Sequence, residues 1–140
     1  MLRLIGLLVV LSAAEVHDDA AFRIVVHASN PLESITRAEL SAIYMKRMRS
    51  WRDGREIVPV DQPASSPVRE RFSRAIHGKN VAYVTRYWQR LIFSGRGIPP
   101  RQLQNDAAVL ELVKHSRDAI GYVARDTPPG DGVKVLEVTP

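Results

Sequence analysis

Short β-branched segments alternate with amphipathic segments that begin at helix-capping residues, and this order constrains the fold more than any other feature. The predicted strands are residues 22–28, 57–60, 119–123 and 133–138, and the predicted helices begin at Thr36, Ser66, Asn80 and Asn105 or Asp106. Short apolar runs predict buried strands, and capped stretches with 3.6-residue periodicity predict helices. The order β-α-β-α-α-α-β-β therefore predicts an α/β domain, with one mixed sheet flanked by helices.

The first helix has the clearest start. Thr36 and Glu39 form a capping box, in which each side chain accepts a hydrogen bond from a backbone N–H that the helix leaves unpaired. One apolar face follows, made of Leu40, Ile43, Tyr44 and Met48. The spacing predicts a helix over residues 36–48.

Length and charge narrow the classes of function. A chain of 140 residues fits one domain with one core. Its formal charge of +5 is typical of proteins that bind nucleic acid, anionic membrane surfaces or acidic ligands. The absence of Cys excludes a disulfide framework and a zinc site built on thiolates.

The N-terminal segment "MLRLIGLLVVLSAA" has the pattern of a secretory signal peptide, with one Arg, an apolar run and small residues. We expect a signal peptide in residues 1–20, cleaved after Ala14 or near Ala20, and a single domain in residues 21–140. The alternative is a buried first strand or helix. Export predicts a periplasmic or secreted protein, which makes nucleic acid an unlikely partner and leaves no membrane span after cleavage.

The segment "VDQPASSPVRERF", residues 60–72, joins a strand to a helix through a loop. The unpaired N–H groups at a helix N-terminus favour an anion there. The loop has no glycine, however, and Ser66 followed by Pro67 is favoured chemistry for starting a helix. Anion binding and simple capping are both open interpretations, and Arg69, Arg71 and Arg74 are expected on the polar face of this helix.

Several segments in fixed order resemble the phosphate-binding proteins of ABC transporters. They are "NPLESITRAELSAIYMKRMRSWRDGREIVPVDQ", "RERF", "YWQRLIFSGRGIPP" and "DAIGYV". The resemblance covers residues 22–138 and implies a periplasmic binding protein-like fold. It extends to the second lobe of that two-lobed family only, so the chain would supply half of an anion clamp.

The family's anion-binding loop resembles "RSDGSGTT..F", and aligning its phenylalanine with Phe72 places that loop over residues 62–69. Most binding positions differ: Ser65 and Pro67 replace glycines, and Ala64 replaces the carboxylate that selects phosphate. By this resemblance the candidate anion-binding residues are Ser65, Ser66 and Arg69.

Catalytic patterns are missing from the sequence. The four histidines lack metal-ligand spacing, and no nucleophile elbow, P-loop or dinucleotide fingerprint occurs. We therefore expect no enzyme, no cofactor and no metal.

Two functions of different classes remain. The resemblance implies a non-catalytic single-lobe relative of phosphate-binding proteins, which binds a phosphate-like anion or assists uptake. The alternative is an envelope protein–protein interaction module that has lost ligand binding. The expected partners are an inorganic anion, another envelope protein or a second copy of this chain. A basic-aromatic surface around Arg86 and Arg90, or residues 93–100, could present the module to its partner.

Overall fold

The computed structural model describes residues 21–140, and the predicted signal peptide lies outside them. It contains six strands and four α-helices. The strands are β1 (Phe22–His27), β2 (Ser34–Thr36), β3 (Val58–Asp61), β4 (Arg101–Gln102), β5 (Ala119–Ala124) and β6 (Val133–Thr139). The helices are α1 (Arg37–Tyr44), α2 (Pro67–Phe72), α3 (Val81–Phe93) and α4 (Asp106–His115).

The strands form one mixed sheet in the order β2-β6-β1-β5-β3-β4. Strand β1 is antiparallel to both β5 and β6, whereas β3 runs parallel to β5 and β4 parallel to β3. The predicted α/β class with a mixed sheet is confirmed. The short edge strands β2 and β4 were not predicted, because three and two residues are too few to show an alternating pattern.

Both faces of the sheet are covered. Ile24 and Val26 of β1 belong to a large core cluster that includes side chains of α1 and α2. Val25 points the other way and packs with Val109 and Val113 of α4. This alternation places one layer of helices on each face, as the two-residue period of a strand requires.

Gly121 of β5 allows α4 to approach the sheet closely. A Cβ atom on this residue would lie 2.6 Å from a methyl group of Val109 and 3.0 Å from one of Val60. Only glycine therefore fits between the sheet and α4 without displacing these side chains.

Helix α1 begins as predicted, with both hydrogen bonds of the Thr36–Glu39 capping box present. It ends earlier than predicted, at Tyr44 rather than near Met48. Lys46 turns the chain with a positive φ of 52°, and its N–H donates to the carbonyl of Ile43. The prediction was wrong at this end because the apolar spacing continues to Met48 although the backbone has already left the helix.

Helix α2 is also shorter than predicted. The α-helix ends at Phe72, and a π-helical turn, Ser73–His77, continues to Gly78, which caps the segment with φ 66°. Phe72 and Ile76 both reach the core, at 2% and 6% exposure. The apolar pattern predicted the burial of these side chains, but it could not distinguish an α-turn from a π-turn.

Helix α3 packs through a separate cluster of Met45, Val84 and Trp88. The predicted burial of Trp88 is confirmed, at 5% exposure. Within residues 21–140, the helices are all too short or too polar to cross a lipid bilayer.

Candidate binding junction

The candidate site is the junction between β3, which ends at Asp61, and α2, which begins at Pro67. Pro67 favours a helix start here, because its fixed φ suits the first helical position and its missing N–H would have no partner. Residues 62–66 form the loop between the two elements. Buried polar side chains are concentrated where this loop meets the sheet.

Arg69 lies inside the protein and is paired with Asp61. The Arg69 Nε atom is 3.3 Å from Asp61 Oδ1, and Arg69 Nη1 donates to the carbonyl oxygen of Gln62 at 2.9 Å. Arg69 is 5% exposed and Asp61 is 7% exposed. The expectation that Arg69 lies on the polar face of α2 was wrong, since its charge is neutralised by a carboxylate from the neighbouring strand.

Tyr122 of β5 completes the environment of Asp61. Its hydroxyl donates to Asp61 Oδ1, which also accepts from the backbone N–H of Gln62 at 3.0 Å. Burial raises the pKa of Asp61, although the Arg69 charge and these two hydrogen bonds act in the opposite direction. Burial, together with the Asp61 charge, raises the pKa of Tyr122 far above its usual value and keeps the phenol protonated as a donor.

Gln62 connects the junction to α4. Its side-chain amide donates to Asp106 Oδ1 at 2.8 Å and to the carbonyl oxygen of Tyr122 at 3.0 Å. Asp106 also accepts from the Thr127 hydroxyl at 2.7 Å through its other oxygen. The cap of α4 is Asn105, which accepts from the N–H of Ala108, so Asp106 is free to bind Gln62.

The two serines have different environments. Ser65 is exposed, while Ser66 is half-buried and donates to Gln62 Oε1 at 3.3 Å. Ser66 occupies the N-cap position but makes no side-chain capping bond, so the expectation that its hydroxyl caps α2 was wrong. Its hydroxyl binds Gln62 instead, because this amide lies within reach and is held in place by Asp106 and Tyr122.

Ser66 and Arg69 are therefore brought together at Gln62, whereas Ser65 stays apart on the surface. Sequence reasoning missed Asp61, Gln62, Tyr122 and Asp106 as members of one network. The only local signal was the pair of polar residues, Asp61 and Gln62, directly after a buried strand. Their partners lie about 40 to 60 residues further along the chain.

The basic-aromatic surface of α3 differs from its prediction. Lys79, not an arginine of α3, lies 5.0 Å from the Tyr83 ring centre, and Arg47 lies 5.6 Å from that of Tyr87. The Tyr87 hydroxyl donates to the carbonyl oxygen of Met45. These aromatic rings therefore bind cations of neighbouring elements and help to attach α3 to the domain.

Metal-binding geometry is also informative. Across residues 21–140, His, Asp and Glu side chains form no group of three or more that could hold a metal ion. The acidic side chains of the junction are bound to Arg69, Tyr122, Gln62 and Thr127 instead.

Solved structures with a similar fold are all only distantly related in sequence. A phosphate ABC transporter substrate-binding protein with bound phosphate from Clostridium perfringens superposes with a TM-score of 0.68 at 19% identity, over 84% of this chain and 44% of its own. An ABC-type phosphate transport receptor from Vibrio cholerae gives 0.65 at 21% identity, over 85% and 47%. PstS from Borrelia burgdorferi gives 0.60 at 14% identity, over 85% and 47%.

This chain has the fold of one lobe of these proteins. It spans less than half of the length of each of them, and the expected single-lobe resemblance is confirmed at the level of the fold. No protein-family model and no curated protein sequence matches the chain. That the matched half is the second lobe stays a prediction from the sequence motifs.

Proposed function

We propose that this chain is a non-catalytic binding module whose partner is larger than a free phosphate ion. The observation that carries the proposal is the state of Arg69, the one cation among the candidate residues. It is almost fully buried and already paired with Asp61 at 3.3 Å. An incoming phosphate would have to compete with a carboxylate that is held in place by three other contacts.

Electrostatics supports the same conclusion. Charged interactions are strong only where water is excluded, because the effective dielectric constant falls from that of water to that of the protein interior. A single lobe leaves the junction open to solvent on the side where a second lobe would close it. The similar solved structures are named as binding proteins, which supports a related binding role without chemistry.

A second candidate function is anion binding completed by a second copy of the chain. The exposed Ser65 hydroxyl favours it, and so do the backbone N–H groups of Val68 and Arg69, which have no helical carbonyl four residues earlier. In this version the surface of Ser65, Ser66 and Arg69 lies at the interface between copies.

Calorimetry of the purified chain against phosphate and sulfate tests both versions. We expect no saturable heat at micromolar or low millimolar anion. Micromolar binding to the monomer, abolished in the Ser65→Ala/Ser66→Ala double variant, would overturn the proposal. Binding that rises with protein concentration alongside a dimer in sedimentation velocity would support the second version.

The double serine variant suits this test because it leaves the fold intact. Neither hydroxyl caps α2, and Ser66 contributes one long hydrogen bond of 3.3 Å. Thr85→Ala, which removes a half-buried hydroxyl on α3 instead, is the matched control.

A further inference from the structure

Helices α1 and α3 end beside each other, and the turns that follow them line an open cleft of about 470 Å³. Ile57 and Pro59, at the start of β3, contribute to its lining. The junction described above lies where the same strand ends, at Asp61. The cleft is therefore a separate feature at the opposite end of β3.

Three cations, Lys46, Arg49 and Arg96, line this cleft, together with a single carboxylate, Glu56. Among the ion pairs of residues 21–140, none involves these cations. Arg49 Nε donates to the carbonyl oxygen of Lys46 at 3.1 Å, and Arg96 Nε donates to the Ser94 hydroxyl at 2.9 Å. Because these acceptors are neutral, the cleft keeps a net positive charge that attracts anions.

The backbone at Lys46 points to a use for its charge. Lys46 follows the C-cap of α1 with φ 52°, and Gly95 occupies the same position after α3 with φ 68°. Glycine is the usual residue there, because a side chain is strained at positive φ. A strained residue that lines a cleft is a reason to look for function in its side chain.

Apolar side chains project beside the cations. Of the large apolar side chains in residues 21–140, the three most exposed are Phe93 at 92%, Ile98 at 76% and Ile92 at 52%. They lie within seven residues of one another around Arg96, and Ile98 also lines the cleft. The end of α3 is thus an apolar projection with a basic cleft at its base, which we name the α3 tip, residues 92–98 with Lys46 and Arg49.

We infer that the α3 tip docks on an anionic membrane surface, with lipid phosphates at the three cations and the side chains of Phe93 and Ile98 in the bilayer interface. Charge complementarity argues for anionic lipid, since uncompensated cations surround the apolar residues. Surface-bound segments combine Lys and Arg with Phe and Leu in this way, the cations at the headgroups and the apolar groups at the acyl boundary.

Two structural explanations account for less. Cations near the C-termini of α1 and α3 offset the partial negative charge of the helix ends, but that effect requires no exposed Phe93 or Ile98. A protein partner usually receives an aromatic side chain in a pocket on a flat, packed interface. A side chain that projects with 92% exposure fits the soft interface of a bilayer better.

The inference rests on the proposed function only in that the partner is larger than an ion. It uses a different surface, so the two can fail separately: phosphate calorimetry tests the junction, and lipid vesicles test the α3 tip.

Vesicle cosedimentation of the full chain tests the inference. We expect binding to vesicles of equal parts phosphatidylglycerol and phosphatidylcholine, and weaker binding to phosphatidylcholine alone. Phe93→Ser should lower the partition coefficient about tenfold, and Lys46→Gln or Arg96→Gln about fivefold each at low salt. Added salt should reduce the effect of the charge substitutions. The apolar N-terminal segment is the same in every variant, so differences between variants report on the α3 tip.

Matched controls come from elsewhere on the sheet. Val135→Thr removes little from an exposed apolar side chain of β6, and Arg125→Gln removes an exposed cation beyond the far end of β5. Both variants should bind like the wild type. Ile98→Ser serves as a second apolar variant, and thermal unfolding of each variant confirms that it is folded.

Three results would overturn the inference. Equal binding to both vesicle types, or no change on substituting Phe93 and Arg96, would show that this face does not recognise anionic lipid. A dimer that dissociates in Phe93→Ser would make the face a protein interface. Complete displacement from vesicles by millimolar inorganic phosphate would indicate a site for a free anion.

Discussion

Arg69 and His77 lie on the segment that begins with α2, and both are surrounded by groups that are distant in sequence. Arg69 is paired with Asp61 of β3, and His77 Nδ1 lies 2.7 Å from the hydroxyl of Ser41 on α1. Burial lowers the pKa of His77 to about 4, and the charges of Arg69 and Arg47 contribute. Each of these side chains therefore makes a test of how the segment is held against the domain.

Removing the Arg69 charge should destabilise the protein strongly. In Arg69→Met, Asp61 would remain buried without its cation, and we expect the free energy of unfolding to fall by about 3–5 kcal/mol at neutral pH. The loss should shrink at acidic pH, because the pKa of Asp61, already raised by burial, would rise further without Arg69. Chemical denaturation at two pH values measures this.

The double variant Asp61→Asn/Arg69→Met is the control for that experiment. It removes both charges together, so it should recover much of the stability. If Arg69→Met alone loses less than about 1 kcal/mol, the pair is not a structural support, and Arg69 would again be a candidate for ligand binding.

His77 should make the protein less stable in mild acid. Its pKa is about 4 in the folded protein and 6.5 in the reference state, so between these values the unfolded chain binds more protons. Stability is therefore fully present above about pH 6.5 and falls as the pH drops to about 4, by roughly 3 kcal/mol in total.

The variant His77→Gln removes the titration and keeps a side chain that can bind the Ser41 hydroxyl. Its free energy of unfolding should depend less on pH than that of the wild type between pH 6.5 and 4. Asp61 is unchanged in this comparison, so its own titration cancels. Parallel curves for the two proteins would contradict the prediction.

At the scale of elements, α1 and α3 end with the same pair of hydrogen bonds. Arg47 N–H donates to the carbonyl of Ala42 and Lys46 N–H to that of Ile43, while Arg96 and Gly95 repeat this pattern after α3. These are Schellman turns, whose first residue beyond the C-cap adopts positive φ. The two ends differ in that Lys stands where glycine is usual at one of them.

Lys46→Gly should therefore stabilise the protein. Relief of the left-handed strain on a side chain is worth roughly 1–2 kcal/mol, and the added freedom of the unfolded chain costs about 0.4–1 kcal/mol. We expect a gain of about 0.5–1 kcal/mol in the free energy of unfolding, measured by chemical denaturation.

The reciprocal substitution Gly95→Ala is the matched control. No atom lies within 4 Å of the position of the added Cβ, so only the backbone conformation is tested. It should lose about 1 kcal/mol. A loss of stability in Lys46→Gly as well would show that the Lys46 side chain makes a stabilising contribution that exceeds its strain.

At the scale of the whole molecule, the domain of residues 21–140 is built like half of a two-lobed binding protein. The matched structures are more than twice as long, and only part of each corresponds to this chain. We propose that the chain is exported, because its apolar N-terminal segment is short and is followed by small residues.

Export predicts a defined N-terminus. Protein recovered from the cell envelope or medium should begin after Ala14 or close to Ala20, as N-terminal sequencing or intact mass will show. Replacing Leu7 and Leu8 with Arg should leave the full chain in the cytoplasm, because a charged apolar region no longer directs secretion. Cytoplasmic wild-type protein that keeps residues 1–20 would disprove export.

The sequence by itself determined the order of the main elements and several of their ends. The capping box of Thr36 and Glu39, the Asn80 cap of α3 and the glycine stop at Gly78 are all observed. Each depends on hydrogen bonds between residues at most four positions apart, so the residue types alone were sufficient. The burial of Trp88 was predictable for a similar reason, since helical periodicity identifies an apolar face before its partner is known.

Only the tertiary structure decided the chemistry of the junction. From the linear pattern, Arg69 belonged to a polar helix face and Ser66 to a cap, yet both bind Gln62, and Arg69 also binds Asp61. Tyr122 and Asp106 join them from more than 40 residues away. A buried charge is stable only where other parts of the chain supply its partner, and the chain reveals that partner only when the sheet brings β3, β5 and α4 together.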